Sequence, residues 1–321
     1  MIVRIKRKAM EYFLGLALAL CVSLFFLSGI SLIGPSVLGS NVTNQTVIAR
    51  VNVTNTEPTL YLVKVQNTPI DLTAGNATTV ICNGSFSDFN GYDDVMNASA
   101  TLYRTTVASD ALDDNNTHYT NFSCTPCEVV ENTGNANGSC ICRFAVQYYA
   151  ENGTWACNMS IGDSALLNSS KNSSIFRMNE VLGIDVSSYT LDYGNLSASQ
   201  VSRPTIQNVI NTGNIPLNVT FRGYGGDNET VGENYTMLCE GGTNITFGNQ
   251  RVSLYNNTPF NDMANLTNQT RQLLNLTIPK RTQNNALGNS SNSTWWRLQI
   301  PLGAAGICNG TIIFGARRAD Y

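Results

Sequence analysis

The sequence predicts an all-β protein with two tandem β-sandwich domains behind an N-terminal transmembrane helix. From Leu60 onward, apolar and polar residues alternate in short runs, the period of strands with one buried face. Gly, Asn, Asp and Pro interrupt these runs about every ten residues, which is typical of sandwich strands joined by tight turns. Beyond residue 38 there is no long stretch with the apolar spacing of an amphipathic helix.

The first segment, residues 1–38, has the features of a membrane anchor. An apolar run over residues 12–37 follows four basic residues, Arg4, Lys6, Arg7 and Lys8. The run is long enough to span a bilayer, and the positive flank places the N-terminus in the cytoplasm and the remaining chain outside. A cleaved signal peptide is the alternative, with small residues for cleavage at Ser28-Gly29 and Gly39-Ser40. We expect a single-pass cell-surface protein whose C-terminal part lies outside.

Asparagine dominates the polar composition. Charged residues make up only 13% of the chain, yet it contains 40 asparagines, 25 of which begin an Asn-x-Ser/Thr sequon. Composition alone would give about 7 such triplets. The alternative is a polar surface rich in Asn and Thr without sugars, but the excess predicts an exported protein with N-glycans that hydrate the surface. The predicted acceptors include Asn41, Asn44, Asn52, Asn76, Asn83, Asn97, Asn115, Asn121, Asn137, Asn152, Asn158, Asn218, Asn244, Asn275 and Asn309.

Changes in composition divide residues 39–321 into a stalk, two domains and a connecting segment. Residues 39–57 hold three sequons and few core residues, which predicts a glycosylated stalk. Residues 58–163 form the first predicted sandwich and residues 182–321 the second. The intervening residues 164–181 are rich in Ser and Asn and are predicted as a linker or an edge strand.

Alternation also predicts which strand residues face the core. Strands are predicted at residues 60–65, 78–86, 98–104, 142–149, 153–161, 217–221 and 274–278. In the fifth of these, Trp155, Cys157, Met159 and Ile161 share the inward face, while Asn158 and Ser160 face outward. The same count places Leu217, Val219 and Phe221 inward and Asn218 and Thr220 outward. Sequon asparagines in strands are therefore predicted to face solvent.

The first domain resembles the immunoglobulin-like class. Cys82 lies in an early strand and Cys157 in a late one, with Trp155 two residues before the second cysteine. In immunoglobulin-like domains a disulfide between such strands joins the two sheets, and an aromatic residue precedes the second cysteine by two. That aromatic is usually a tyrosine, whose hydroxyl makes a corner hydrogen bond that an indole is not expected to copy. No tryptophan lies between Cys82 and Trp155, so we expect an Ig-like sandwich rather than a true immunoglobulin domain.

Eight of the nine cysteines follow the apolar segment. Four of them form CxxC and CxC between residues 124 and 142, a spacing that fits a zinc site, a redox site or two disulfides. The predicted outside location favours disulfides. With Cys82–Cys157 joining the sheets, Cys239–Cys308 is the pair available in the second domain. Three connectivities are open to the other four cysteines; we favour Cys124–Cys142 and Cys127–Cys140, with a β-bulge near Pro126.

The second domain and the N-terminus carry further resemblances. The segment Leu191–Val219 resembles a pattern of bacterial and archaeal surface proteins, with LDYG followed by NTGNIPLNV. Together with AGNATTVICNGSFSDFNGYDD and GTWACN, it makes residues 58–321 similar to uncharacterised archaeal envelope glycoproteins with two β-sandwich domains. KRKAMEYF is similar to archaeal type IV pilin leaders, which implies a cleavage that leaves Glu11 near the new terminus. The apolar helix would then pack in a filament core.

Catalytic and nucleic-acid-binding signatures are absent from the sequence. His118 is the only histidine and lies in DDNNTHYTN, which predicts a solvated loop residue rather than a catalytic base. There is no P-loop and no nucleotide-binding glycine motif. Beyond the anchor the chain has 15 basic and 21 acidic residues, and this acidic excess argues against nucleic-acid binding. We expect no enzymatic activity.

Calcium is the one cofactor for which the sequence offers ligands. SDFNGYDD places Asp88, Asn90, Asp93 and Asp94 around Gly91, and DALDDNN offers a second group, Asp110, Asp113 and Asp114. Oxygen ligands clustered in a turn suit Ca²⁺ in extracellular modules. The EF-hand spacing is not met, and Asn90-Gly91 is also a good hairpin turn, so a plain turn is the alternative.

These features predict a non-enzymatic, N-glycosylated surface or envelope protein with a structural, adhesive or cell-contact role. Its predicted partners are the membrane, through residues 12–37, and other surface proteins or glycans. One alternative is a pilin-like filament subunit. Another is an extracellular module that binds carbohydrate or calcium, for which Trp295-Trp296 is an aromatic pair, although adjacent strand residues face opposite sides.

Overall fold

The computed structural model describes residues 46–124, 127–130, 134–282 and 288–319, apart from the side chains of Leu274 and Asn275. The predicted anchor, the sequons at Asn41 and Asn44, and the bulge expected near Pro126 lie outside these residues. The chain divides into two compact units, Met1–Val53 and Thr54–Tyr321. In the first unit, residues 46–53 are exposed and have no regular secondary structure. Within the described ranges, no helix has the length and apolar character needed to cross a membrane.

The unit Thr54–Tyr321 is built from β-strands. They are β1 (Thr59–Val65), β2 (Thr78–Ser87), β3 (Val95–Arg104), β4 (His118–Asn121), β5 (Glu128–Val129), β6 (Asn137–Val146), β7 (Gly153–Asp163), β8 (Asn168–Asn172), β9 (Phe176–Met178), β10 (Ile184–Val186), β11 (Thr205–Asn211), β12 (Leu217–Gly225), β13 (Leu238–Gly242), β14 (Gln250–Ser253), β15 (Ala264–Asn265), β16 (Arg271–Ile278), β17 (Ser291–Leu298) and β18 (Ala304–Arg318). One short α-helix, α1 (Glu229–Gly232), and 3-10 turns at Tyr92–Asp94, Phe247–Asn249, Phe260–Asp262 and Gly288–Ser290 complete the described elements. The predicted predominance of β-structure is confirmed.

Strands β1 to β9 form two antiparallel sheets that enclose one core, called here the first sandwich. One sheet has the order β1-β2-β6-β5, and the other has the order β4-β3-β7-β8, with β9 also paired to β7. Phe86 and Val80 from the first sheet pack with Leu102, Trp155 and Met159 from the second. Strands β8 and β9 lie within residues 164–181, where an edge strand was one of the two predictions.

Strand β7 has the predicted alternation. Trp155, Cys157, Met159 and Ile161 are buried, whereas Asn158 between them is partly exposed. Strand β12 agrees at Leu217, Val219, Phe221 and Asn218. The outward prediction for Thr220 is wrong, because this residue is only 4% exposed and its hydroxyl packs against the backbone of Gly315 on the neighbouring strand β18.

Trp155 makes the corner hydrogen bond that was not expected of an indole. Its ring N–H donates to the backbone carbonyl of Glu151, four residues upstream, at 2.8 Å. The side chain is fully buried, so this bond satisfies the only polar atom of the ring. An indole in this position can therefore tie the start of a strand to the preceding loop, as a tyrosine hydroxyl does.

Strands β10 to β18 form a second pair of antiparallel sheets, called here the second sandwich. Their orders are β10-β11-β17-β14-β15 and β13-β18-β12-β16. Trp296 is fully buried at the centre and makes edge-to-face contacts with Phe221, at 5.9 Å between ring centroids, and with Phe314, at 5.8 Å. These three rings come from both sheets, so the core depends on the pairing of the two layers.

The side chain of Asn214, in the turn between β11 and β12, joins the two sandwiches. Its amide nitrogen donates to the backbone carbonyls of Ala150 (3.1 Å) and Asn179 (3.0 Å), and its side-chain oxygen accepts from the Val181 N–H (2.6 Å). Ala150 belongs to the first sandwich, and Asn179 and Val181 belong to the connection. Asn214 is 1% exposed, so one buried amide connects all three parts of the chain.

The other residues of the Asn-Thr-Gly-Asn motif, which spans residues 211–214, shape the turn in which Asn214 lies. The Asn211 side chain donates to the carbonyls of Ile215 (2.8 Å) and Ile278 (3.1 Å) and accepts from the Gly213 N–H (2.8 Å). A Cβ on Gly213 would lie 2.2 Å from the Val181 carbonyl oxygen, so only glycine fits this close approach. The motif noted in the sequence therefore builds a joint between the sandwiches.

Candidate functional site

Three carboxylates meet where β2, β3 and β7 begin or end. Asp88 follows the last residue of β2, Asp94 precedes the first residue of β3, and Asp163 is the last residue of β7. Antiparallel pairing of β3 with β7 sets Val95 opposite Asp163, which brings the last two carboxylates together. One oxygen from each of the three residues lies within 4.8 Å of the others. We call this group the acidic cluster.

Two oxygens of the acidic cluster are buried without a hydrogen-bond partner. Asp88 is fully buried; its Oδ1 accepts from the Asn90 N–H at 2.8 Å, while its Oδ2 has no partner among the described residues. The Oδ1 atom of Asp94 accepts from the Ser164 hydroxyl, and its Oδ2 is likewise buried and unpaired. An unpaired buried carboxylate oxygen is costly, so the cluster offers two strong acceptor positions.

Asp163 accepts more hydrogen bonds than either other member of the acidic cluster. It is 1% exposed, and its Oδ1 accepts from the backbone N–H groups of Ala165 (3.0 Å) and Leu167 (2.8 Å). Its Oδ2 accepts from the Asn55 side-chain amide at 2.7 Å. These bonds hold the carboxylate in one orientation beside Asp94.

Burial and like charges act together on Asp88. Burial raises the pKa of its carboxyl, the Asn90 N–H lowers it, and the negative charges of Asp94, Asp163 and Asp93 raise it again, with a net upward shift. No lysine or arginine in the described part of the chain forms an ion pair with a member of the cluster. A divalent cation is the group that would relieve both the repulsion and the missing contacts.

The sequence-predicted calcium ligands are only partly brought together. Asp88 and Asp94 join the acidic cluster. Asp93 is exposed and lies outside it, and the side-chain oxygen of Asn90 accepts from the Thr56 N–H at 2.7 Å instead. Asn90-Gly91 does not join a hairpin, because β2 and β3 belong to different sheets. A plain turn is present, in which the Gly91 N–H donates to the Asp88 carbonyl at 3.2 Å.

Asp163 was missed because it lies 69 residues beyond Asp94 in the sequence. The signal that could have identified it is the register of β3 with β7, in which Leu102 faces Cys157 and Val95 faces Asp163. Asn55 was missed for a related reason, since it was included in the predicted stalk. Both residues reach the acidic cluster through long-range contacts that local alternation does not specify.

The second predicted acidic group, Asp110, Asp113 and Asp114, lies in the loop before β4. Asp113 contacts His118, and Asp114 accepts hydrogen bonds from backbone N–H groups of the same loop. The prediction of a solvated histidine is wrong: His118 is 1% exposed in β4, with Nδ1 2.7 Å from Asp113 Oδ1 and Nε2 3.0 Å from the Ser109 carbonyl. Asp113 also accepts from the Thr120 N–H. Because His118 contacts a carboxylate and a carbonyl rather than a hydroxyl or thiol nucleophile, this arrangement serves the loop structure.

Asp114 is expected to stabilise the same loop in a pH-dependent way. Partial burial would raise the pKa of its carboxyl, but hydrogen bonds from Thr117, from the Asn116 N–H and from the His118 N–H hold it below the usual 3.8. The unfolded chain then binds more protons in acid, so the stabilisation is present above pH 3.8 and is lost as pH falls through the folded-state pKa. We expect Asp114→Asn to cost about 1 kcal/mol at neutral pH and nothing in strong acid.

Unfolding by denaturant at a series of pH values measures this difference. Asp110→Asn is the matched control, because Asp110 lies in the same loop and is exposed. A difference between Asp114→Asn and the unmodified chain that stays constant down to strong acid would contradict the prediction.

The eight cysteines in the described ranges form four disulfides, which join the pairs favoured from the sequence. Cys82–Cys157 connects the two sheets of the first sandwich, while Cys239–Cys308 connects neighbouring strands in the second. Within CTPCEVVENTGNANGSCIC the bonds are Cys124–Cys142 and Cys127–Cys140. All four cysteines of that segment are thus bonded to sulfur, so none is a free thiolate for zinc, and the CxxC pair does not close on itself as in a redox motif. Paired cysteines of this kind favour an oxidising compartment.

The aromatic pair considered for carbohydrate binding is divided between two environments. Trp296 is in the core of the second sandwich, and its N–H donates to the Thr294 hydroxyl at 2.9 Å. Trp295, on the opposite face of β17, is only partly buried. The two rings therefore do not form one exposed platform.

Sequon asparagines are accessible wherever the structure describes their side chains. None of these is buried; the strand residues Asn83, Asn158 and Asn218 are partly exposed, and most loop positions are exposed. By contrast, the two buried asparagines in the described ranges, Asn211 and Asn214, are not in sequons. At Asn83 the residue is partly exposed but its side-chain oxygen is buried. Attachment of sugars is therefore compatible with the fold at the exposed sequons.

Comparisons with known proteins give only distant likenesses. No protein-family model matches the chain, and a search of curated proteins gives no significant match. Among solved structures, a chain from the chaperone–tip adhesin complex of CFA/I fimbriae is 10% identical, with a TM-score of 0.28, over 80% of this chain and 84% of that one. The C-terminal domain of the Streptococcus agalactiae AgI/II polypeptide BspA is also 10% identical, with a TM-score of 0.22, over 82% of this chain and 96% of that one.

A third solved structure comes from a study of carbohydrate-binding modules of the β-sandwich superfamily. It is 10% identical, with a TM-score of 0.22, over 82% of this chain and 97% of that one. At such low identities and TM-scores, these likenesses carry no argument about the function of the chain.

Proposed function

We propose that this chain is a non-enzymatic, N-glycosylated protein of the cell surface or envelope with a structural, adhesive or cell-contact role. The observation that carries the proposal is the excess of sequons, 25 in the chain where composition alone would give about 7. Asparagine is mostly exposed in proteins, so the exposure of the described sequons permits glycosylation, and their number argues for it.

An Ig-like arrangement supports the same proposal for the first sandwich. Immunoglobulin sandwiches place strands A-B-E-D in one sheet and C-F-G in the other, with a disulfide between B and F. If β1 to β8 are taken in chain order as A, B, C, C′, D, E, F and G, the sheets here are A-B-E-D and C′-C-F-G. Cys82 and Cys157 then lie on B and F. Such sandwiches commonly serve as rigid modules of cell-surface proteins.

The proposed mode of action is mechanical. Disulfides hold each sandwich, and the Asn214 joint limits bending between them. Residues 12–37 would hold the chain in the membrane, and glycans would hydrate a surface that has few charges. The resemblance to archaeal envelope glycoproteins agrees with this organisation.

Intact mass spectrometry of the native protein tests the proposal. We expect a mass well above that of the polypeptide, and most of the excess should be lost after chemical deglycosylation, which leaves only the sugar bonded to each asparagine. Cysteine alkylation should modify eight further residues only after reduction. A native mass equal to that of the bare polypeptide would overturn the glycosylated-surface proposal.

A matched pair of variants makes the test site-specific. Asn256 begins a sequon, its neighbour Asn257 does not, and both are exposed in the same loop. Asn256→Gln should remove the mass of one glycan, whereas Asn257→Gln preserves the sequon at 256 and should leave the glycan mass unchanged. Equal glycan masses for both variants would show that this sequon is not used.

A further inference from the structure

We propose that the acidic cluster Asp88, Asp94 and Asp163 is a Ca²⁺ site that fastens the segment before β1 to the first sandwich. The proposal rests on two independent observations. Three carboxylates offer oxygens within 4.8 Å of one another, and the fully buried Asp88 contributes a carboxylate oxygen with no partner. A second buried oxygen, on Asp94, is also unpaired.

The chemistry of the ligands selects the ion. All three are carboxylates, the hard oxygen ligands that Ca²⁺ and Mg²⁺ prefer, and the described cluster contains no histidine or cysteine of the kind that Zn²⁺ favours. The three carboxylates come from a loop, a 3-10 turn and a strand end. Such an irregular set suits the flexible coordination of Ca²⁺ better than the strict octahedron of Mg²⁺. Millimolar calcium outside cells is compatible with weak sites in extracellular modules.

Residues 54–57, the segment that enters β1, contact the acidic cluster and the loop beside it. The Asn55 side chain donates to Asp163 Oδ2, and the Thr56 N–H donates to the side chain of Asn90, whose own N–H binds Asp88. Two consecutive residues of the entering segment therefore contact the cluster or the loop that shapes it. A bound cation would fix Asp88 and Asp163 and, through them, the direction in which the chain enters the sandwich.

Calorimetric titration of the metal-free, full-length chain with CaCl₂ tests the proposal directly. We expect one site with a dissociation constant of about 10⁻⁴ to 10⁻³ M, the range of extracellular modules. Asp88→Asn should weaken binding by at least about tenfold, because it removes one charge from the cluster. Asp93→Asn is the matched control, since Asp93 lies in the same turn but outside the cluster, and it should change the affinity by less than about threefold.

Thermal unfolding separates loss of the ion from loss of the fold. Without calcium, Asp88→Asn should unfold at a temperature equal to or above that of the unmodified chain, because it relieves repulsion between buried carboxylates. With calcium, the order should reverse, since only the unmodified chain gains stability from the ion. A variant that is merely misfolded would be less stable in both conditions.

Hydrogen exchange tests the effect on the entering segment. Calcium should slow exchange of the Thr56 amide in the unmodified chain and in Asp93→Asn, but not in Asp88→Asn. The proposal is overturned if calcium does not bind at about 10 mM, well above the expected range. It is also overturned if both variants bind like the unmodified chain, or if Mg²⁺ binds more tightly than Ca²⁺.

Discussion

Replacing both Cys82 and Cys157 with alanine is expected to lower the free energy of unfolding of the first sandwich by at least about 4 kcal/mol. The bond spans 75 residues, and a cross-link of that length restricts the unfolded chain strongly in the chain-entropy model. Both cysteines are fully buried, so their removal also leaves space in a packed core. Because most small domains have only about 5–15 kcal/mol to lose, the variant should be close to unfolding at physiological temperature.

The second disulfide of similar span is the control for this prediction. Cys239–Cys308 spans 69 residues, so the chain-entropy contribution is nearly the same, but its cysteines are partly exposed on neighbouring strands of one sheet. Denaturant unfolding of the two double-alanine variants should show a larger loss of unfolding free energy for the Cys82 and Cys157 variant. The difference between the two losses should equal the cost of the cavity left in its core. A loss below about 1 kcal/mol for that pair would contradict the assigned role.

Replacing Asn214 with alanine is expected to cost about 3 kcal/mol and to uncouple the two sandwiches. The substitution leaves the carbonyls of Ala150 and Asn179 and the Val181 N–H without their partner in a buried place, and each such group costs about 1–3 kcal/mol. Some of these groups will recover water, which keeps the expected total near the lower end of the sum. Scanning calorimetry should then show two separate transitions in place of one coupled transition.

Thr294→Val is the matched control for the joint. Thr294 is fully buried, and its hydroxyl donates to the Gln207 carbonyl at 2.8 Å and accepts from the Trp296 ring N–H at 2.9 Å, both within the second sandwich. This variant should lower the stability of the second sandwich without changing the coupling between the two. If Asn214→Ala left the calorimetric profile unchanged, or if both variants separated the transitions equally, the joint would not depend on Asn214.

Much of the β-architecture could be predicted because its signal is local. Successive side chains of a strand face opposite sides, so the alternation around Trp155 and Leu217 identified strands and their buried faces directly. Thr220 departs from this pattern because a polar side chain can also be covered by the neighbouring strand. His118 departs from it as well, since a polar loop sequence gave no sign that Asp113 and the Ser109 carbonyl would enclose the ring.

The candidate site was only half predictable, since its residues come from distant parts of the chain. SDFNGYDD identified Asp88 and Asp94, which lie six residues apart. Asp163 arrives through the pairing of β3 with β7, and Asn55 through a segment that precedes the first strand. Neither contact leaves a pattern in the sequence around it.

By itself, the sequence determined the β class, the excess of sequons and the inward faces of the main strands. Those properties depend on composition and on a period of two, which any short window of residues carries. Only the tertiary structure decided that Asp163 completes the acidic cluster and that Asn214 connects the sandwiches. Both depend on which strands pair and in what register, and register is an energetic property of the whole packed core rather than of any one segment.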